Sequence, residues 1–260
     1  MWQTKKVAPR SPIKEPLARL PGQSLDEERH RLIEDVVWPS FRFAAMAWFI
    51  ALVEWCLELT KSPRRPGLFT VCAAIATIVV AYRIRRLLPK LRQLKLGREG
   101  ERAVAQELDH LKADGYRVVH DVVALGFNLD HVLVGRQGIF LIETKTWSKR
   151  GRDPHITVKA GQVFNAGVLA SDNPIDQAMA EADWLRGLLF RSTARQFTVK
   201  AVVLFPGWYV EPMDSPTKAK AWVLNPKNLR AFLVNEPELL SDSDVAMVVD
   251  RLQQHAKTER

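Results

Sequence analysis

The sequence predicts an α/β (α+β) fold, a mixed β-sheet flanked by helices, preceded by a two-helix transmembrane hairpin. Three observations carry this. Two apolar runs at 41–59 and 67–82 are separated only by TKSPRRP. Each is near the roughly 17–25 residues that cross a hydrocarbon layer. From residue 97 onward, strand-patterned and helix-patterned runs alternate, the order expected of helices packed on a mixed sheet. Within that region DHVLVGRQGIFLIETK (130–145) reads as two antiparallel strands joined at Gly135–Gly138.

Residues 1–40 place Lys5, Lys6, Arg10, Lys14 and Arg19 among Pro9, Pro12, Pro16 and Pro21. So polar and proline-broken a stretch builds no core, and it reads as a basic, flexible cytoplasmic tail. Inside it, 24–37 is locally helical, with Ser24 and Glu27 spaced as a capping box. The hairpin occupies 41–83. Glu54 would cost about 2.5–3.5 kcal/mol at the centre of a bilayer, so Glu54 and Glu58 are expected toward the loop-side interface with Trp55. The second run is short and suits a nearly upright helix. A buried helical hairpin in a soluble domain is the alternative.

Orientation follows from the flanks. The tail is basic and RIRRLLPKLRQLKLGR (83–98) is more so, which puts both termini on the cytoplasmic side of the inner (plasma) membrane. Lys61, Arg64 and Arg65 in the loop oppose that orientation without reversing it. The first run begins too late for a removable signal peptide. Residues 84–96 form a basic juxtamembrane linker suited to anionic headgroups. Overall, 38 Lys and Arg face 29 Asp and Glu, a net charge of +9. Anionic partners, nucleic acid or a membrane surface, are thereby favoured. Cys56 and Cys72 lie in apolar runs without histidines at ligand spacing, so neither a zinc site nor a disulfide framework is signalled.

Residues 97–260 read as the globular domain. A helix over about 98–112 precedes strands near 116–123, 129–134 and 139–146, and a loop region extends to about 171. A second helix starts at Asn173-Pro174, with asparagine as cap and proline in the first turn, and runs to about 190. Strands at 197–205 and near 220–224 and helices around 226–234 and 242–256 complete the domain.

The hairpin raises an electrostatic problem. With Gly135 opposite Gly138, Asp130 falls directly across from Glu143, and like charges at opposed positions destabilise unless neutralised. Lys145 projects to the same side as Glu143, while Thr144 and His131 face away. Glu101 shares a helical stripe with Val104, Leu108 and Leu111, so its carboxylate lies on the core-facing side. Gln177, on the stripe of Glu181, Trp184 and Leu188, offers an amide to the same place. A divalent cation resolves the repulsion. Oxygen ligands suit Mg²⁺ or Mn²⁺, held through one or two carboxylates, and Lys145 is placed to orient a water and offset charge on phosphorus. Asp130, Glu143 and Glu101 are the candidate metal ligands; Lys145 and Gln177 complete the candidate catalytic set. Trp147, Lys149, Arg150 and Arg152 beyond the hairpin fit a nucleic-acid-binding rim. No glycine-rich phosphate loop or Ser/His/Asp order appears.

GREGE (97–101), LDHVLVGRQGIFLIETK (129–145) and NPIDQA (173–178), in that order, resemble the nuclease-related domain (NERD) family of the PD-(D/E)xK phosphodiesterase superfamily. The resemblance implies a restriction-endonuclease-like mixed sheet flanked by helices. In it Asp130 stands for the motif's first acid, Glu143 and Lys145 for E-x-K, Glu101 for the acid of the leading helix, and Gln177 for the glutamine of the following one. Leu129 replaces the family's proline. A membrane-anchored, Mg²⁺- or Mn²⁺-dependent nuclease, acting on DNA in preference to RNA, is the expectation. A non-cleaving nucleic-acid-binding module or a membrane scaffold on the same fold is the alternative.

Overall fold

The computed structural model describes residues 19–58, 66–124, 126–149, 155–213 and 220–258. Tail residues Lys5, Lys6, Arg10 and Lys14, loop residues Lys61, Arg64 and Arg65, and Arg150 and Arg152 lie outside the described residues.

The predicted mixed fold is present. α1 (Gln23–Leu32) passes through a π-turn (Ile33–Val37) into α2 (Trp38–Glu58). α3 (Pro66–His110) follows. β1 (Arg117–Val123), β2 (Asn128–Gly135) and β3 (Gly138–Thr144) form an antiparallel meander, with Gly135 paired to Gly138 as the turn chemistry requires. Then come β4 (His155–Lys159), β5 (Gln162–Asn165), β6 (Val168–Leu169), α4 (Pro174–Thr193), β7 (Val199–Leu204), β8 (Tyr209–Val210) and β9 (Ala221–Leu224). α5 (Leu229–Leu233) and α6 (Asp242–Thr258) close the chain. The main sheet runs β1-β2-β3-β7-β9, with β7 parallel to both neighbours. A smaller sheet, β6-β5-β4-β8, occupies much of the stretch expected to be loop before residue 171. Its strands are too short to show a strong period of alternation.

The main sheet is covered on both faces. Val132, Leu141 and Val203 pack toward Ile175, Ala182 and Leu185 of α4 and Val248 of α6. Leu133, Phe140 and Ile142 pack toward Val104 and Leu108 of α3. Central strands buried on both sides read as continuous apolar runs, and all of β3, including Glu143, is buried.

The N-terminal part departs from expectation twice. First, the helical stretch is not capped by Ser24. The N-cap is Gly22, with φ 71°, and it makes no side-chain cap. Ser24 instead donates its backbone N–H (3.1 Å) and its hydroxyl to Asp121, a buried carboxylate that also accepts from Arg19 Nε at 2.7 Å. Asp121 serves as a cap from another part of the chain, so residues 19–32 are docked on the domain. Asp26 pairs with Arg98 (2.5 Å) and Arg102 (3.3 Å). Second, no break separates the second apolar run from the domain: α3 is one 45-residue helix through the basic stretch to His110. Leu, Arg, Lys and Gln, good helix formers, dominate 84–96.

α2 and α3 pack against one another. Ala51 and Ala73 are buried small residues, and Trp48 and Trp55 donate their indole N–H groups to Thr77 (2.8 Å) and Thr70 (2.9 Å). Small residues plus interhelical hydrogen bonds are how helices associate where apolar burial gives no drive. Phe43, Phe49, Leu52, Ile75 and Ile78 face outward. Both helices are long and apolar enough to cross a membrane. Cys56 and Cys72 are free thiols.

Candidate active site

The C-terminal end of β3, the start of α4 and the C-terminal part of α3 meet at one place. α4 starts there because Asn173 caps it, accepting from the N–H of Ile175, and Pro174 opens it. Its first turns therefore hold Gln177 against the strand end. Lys145 Nζ lies 2.7 Å from Glu143 Oε1 and donates to Gln177 Oε1 at 2.7 Å. The Gln177 amide donates to Glu143 Oε1 at 2.9 Å and to Glu181 Oε1 at 2.8 Å. The E-x-K pair and the helix glutamine form a closed ring of charge-assisted hydrogen bonds.

Asp130 lies one pair beyond His131↔Ile142 in the register, opposite Glu143, and its Oδ2 accepts the Thr144 N–H at 2.7 Å. Burial, then the Glu143 and Glu101 carboxylates, push its pKa well above the ordinary aspartate value. Glu101 comes from α3, buried on the stripe of Val104, Leu108 and Leu111. A β-carbon at neighbouring Gly100 would collide with the Thr146 side chain, so glycine lets α3 come this close to the end of β3. Burial, then Asp121 and Glu143, raise Glu101 to about 7, against a hydrogen bond from the Gly22 backbone. Burial and Glu143 raise Glu181 to about 8.

Glu181 and Asp121 were not candidates on sequence grounds. Glu181 was visible only as a member of Gln177's stripe, and nothing in β1 distinguishes Asp121. In the register Asp121 stands across from Asp130, so Asp121, Asp130 and Glu143 form a row across three strands. A left-handed backbone at Asp121 (φ 49°) breaks the ladder there, and Arg19 and Ser24 take up its charge. His131, on the other face as expected, is fully buried with Nδ1 2.9 Å from that of His120. Burial and His120 lower it to about 3, so it stays neutral.

Of the expected rim, Trp147 is half-buried and packs edge-on against Phe205 (4.9 Å between centroids). Lys149 is exposed, its ammonium 5.8 Å from the Trp208 ring. The first is partly a core residue; of these two, the second is the one on the surface.

Among the described residues no three His, Cys, Asp or Glu side chains are gathered closely enough to enclose a metal ion. Magnesium-like ions need no such cage, since one or two carboxylates with water and substrate oxygens suffice. Asp130 and Glu143, opposed across the hairpin with Glu101 nearby, offer carboxylate oxygens, the donor chemistry such an ion takes.

The acids make stability depend on pH. Above about pH 4.5 the folded protein holds protons that the unfolded chain has released, on Glu101 up to about pH 7 and on Glu181 up to about pH 8. Stability should therefore fall as pH rises through that window, by several kcal/mol. Melting curves of wild type and a Glu101→Gln/Glu181→Gln variant from pH 4.5 to 8.5 check this: the variant should lose much less, and equal losses would contradict the assignment.

Residues 96–206 match the family model of the nuclease-related domain. No curated protein and no solved structure matches the chain. The matched part of the chain is the part that brings Glu101, Asp130, Glu143, Lys145 and Gln177 together, and the match is consistent with the PD-(D/E)xK nuclease-like superfamily.

Proposed function

We propose that the protein is a membrane-anchored, metal-dependent nuclease that hydrolyses phosphodiester bonds, of DNA in preference to RNA, with Mg²⁺ or Mn²⁺. The observation that carries the reading is the ring joining Glu143, Lys145 and Gln177 opposite Asp130. Asp130 and Glu143, with Glu101 nearby, would hold the ion. When bound, the ion supplies an acidified water and polarises a phosphoryl oxygen. Lys145, already shared between two acceptors, offers its remaining N–H to the phosphoryl oxygens and offsets the charge that builds on them. Gln177 keeps that ammonium and Glu143 in place. Thr144 holds Asp130 through the backbone, so the carboxylate is oriented before substrate arrives.

The anchoring reading rests on α2 and α3, whose outward residues are apolar. Placed in the inner membrane with both termini cytoplasmic, α3 runs unbroken from Tyr82 to Glu101, a rise of about 28 Å, so the site stands at a set height above the bilayer. Arg83, Arg85 and Arg86 follow the apolar run directly and are exposed, as residues that meet anionic headgroups should be. A non-cleaving nucleic-acid-binding module is the second reading, since the net charge of +9 supports nucleic-acid binding whether or not the acids cut.

The test uses the full chain in detergent with labelled single- and double-stranded DNA and RNA, under Mg²⁺, Mn²⁺ or chelator, beside Asp130→Asn. Metal-dependent cutting that the substitution abolishes is the expected result. Binding without cutting in wild type would select the second reading, and cutting that survives both chelator and Asp130→Asn would reject this site.

A further inference from the structure

The geometry points to Glu181 as a positioning residue of this site, holding the second N–H of the Gln177 amide so that Gln177 presents its oxygen to Lys145. The inference rests on the nuclease reading and extends it to a residue one helical turn deeper in α4.

Glu181 is an unusual occupant of its position. It is 5 % exposed, on a stripe whose other buried members are Ile175, Ala178, Ala182, Leu185 and Leu189. A polar carboxyl group there is costly to bury, and an apolar side chain of similar volume would serve packing better. Its Oε2 is buried with no hydrogen-bond partner among the described residues, a further cost that stability alone does not explain. What it does provide is an acceptor, 2.8 Å from Gln177 Nε2.

Gln177 needs one. Its side chain is exposed and ends in a torsion with a broad energy minimum. Its amide nitrogen carries two hydrogens and meets two carboxylates, Glu143 and Glu181, while its oxygen meets the donor-only ammonium of Lys145. A flipped amide would set N–H groups against that ammonium. With Glu143 alone, one N–H is free and the amide can swing about a single bond. With Glu181 as well, both hydrogens are taken and the plane is pinned.

Two readouts test this on the full chain in detergent, one independent of cleavage. With isotope-labelled glutamine, the Gln177 side-chain amide is assigned by its loss in Gln177→Ala. In Glu181→Ala one of its two N–H signals should move and exchange with solvent faster, whereas Glu181→Gln, which keeps an acceptor oxygen and guards against a folding defect, should preserve both. In metal-dependent cleavage, Glu181→Ala should lose about tenfold, Glu181→Gln little, and Glu181→Ala should cost nothing more when added to Gln177→Ala. Unchanged amide signals in Glu181→Ala, or cleavage losses that multiply in the double variant, would overturn the inference. So would equal losses in the Gln and Ala variants, which would mark a charge-dependent ligand instead. If wild type cleaves nothing, the nuclease reading fails while the amide signals still judge the role of Glu181.

Discussion

Lys145→Ala should reduce metal-dependent cleavage by about a hundred- to a thousandfold and destabilise the fold at the same time. The two effects have one origin. Lys145 is the only ammonium bonded to Glu143 in the ring, and the Glu143 side chain is 5 % exposed, with the Asp130 and Glu181 carboxyl groups nearby. Removing the cation leaves a buried carboxylate uncompensated, a change that costs about 3–5 kcal/mol in fully buried pairs. The Lys145 side chain is 23 % exposed, so water screens part of this and the lower end of that range is expected. Mg²⁺ or Mn²⁺ should restore much of the melting temperature without restoring cleavage, because a cation at the acids replaces the charge but not the donor aimed at the phosphoryl oxygens. Melting curves and turnover, each with and without metal, separate the two. A Lys145→Ala protein that cuts at the wild-type rate would remove Lys145 from the reaction.

Asp121→Ala should undock the N-terminal segment at a cost of about 3–5 kcal/mol. Asp121 is 3 % exposed and accepts from Arg19 Nε, the Ser24 hydroxyl and the Ser24 N–H, and the Arg19 side chain is itself 8 % exposed. The substitution leaves two N-terminal donors of α1 without their acceptor and the Arg19 guanidinium with Glu27 as its remaining carboxylate. Alanine also suits the left-handed backbone at this position (φ 49°) poorly, while asparagine tolerates it and keeps an oxygen acceptor. Asp121→Asn should therefore lose less than Asp121→Ala. Limited proteolysis across residues 19–37 together with thermal unfolding would show it. Equal protection of the segment in wild type and Asp121→Ala would mean that α1 docks by other contacts, such as Asp26 with Arg98.

The site residues named from sequence are those with short-range signals. Gly135 and Gly138 set the hairpin register, and that register puts Asp130 across from Glu143 whatever the rest of the chain does. Period two puts Lys145 beside Glu143, and period three to four puts Glu101 on the buried stripe of α3. Residues that matter through partners distant in sequence were not legible. Asp121 looks like any strand aspartate until Arg19 and Ser24 reach it across the fold. Ser24 and Glu27 carry the spacing of a capping box, yet the hydroxyl goes to the stronger acceptor, a buried carboxylate. Trp147, read as a rim residue, owes its half-buried state to Phe205. The small second sheet was missed because its strands are short and weakly patterned.

What this sequence determined by itself is whatever depends on period, turn chemistry and run length: two apolar helices, a mixed sheet with helices on both faces, and a hairpin that opposes two acids beside a lysine. What only the tertiary structure decided is how those acids are tolerated and how the parts are joined. Asp121, Asp130 and Glu143 lie in one row, and each is relieved by a different segment: Arg19 and Ser24, the Thr144 N–H, and Lys145 with Gln177. Such compensation requires groups far apart along the chain to converge, and local pattern records no distance between them. The unbroken α3 belongs to the same class. Helix propensity permits continuity from 66 to 110, but packing against α1, α2 and the sheet makes one rod of what reads as a membrane run, a basic stretch and a domain helix.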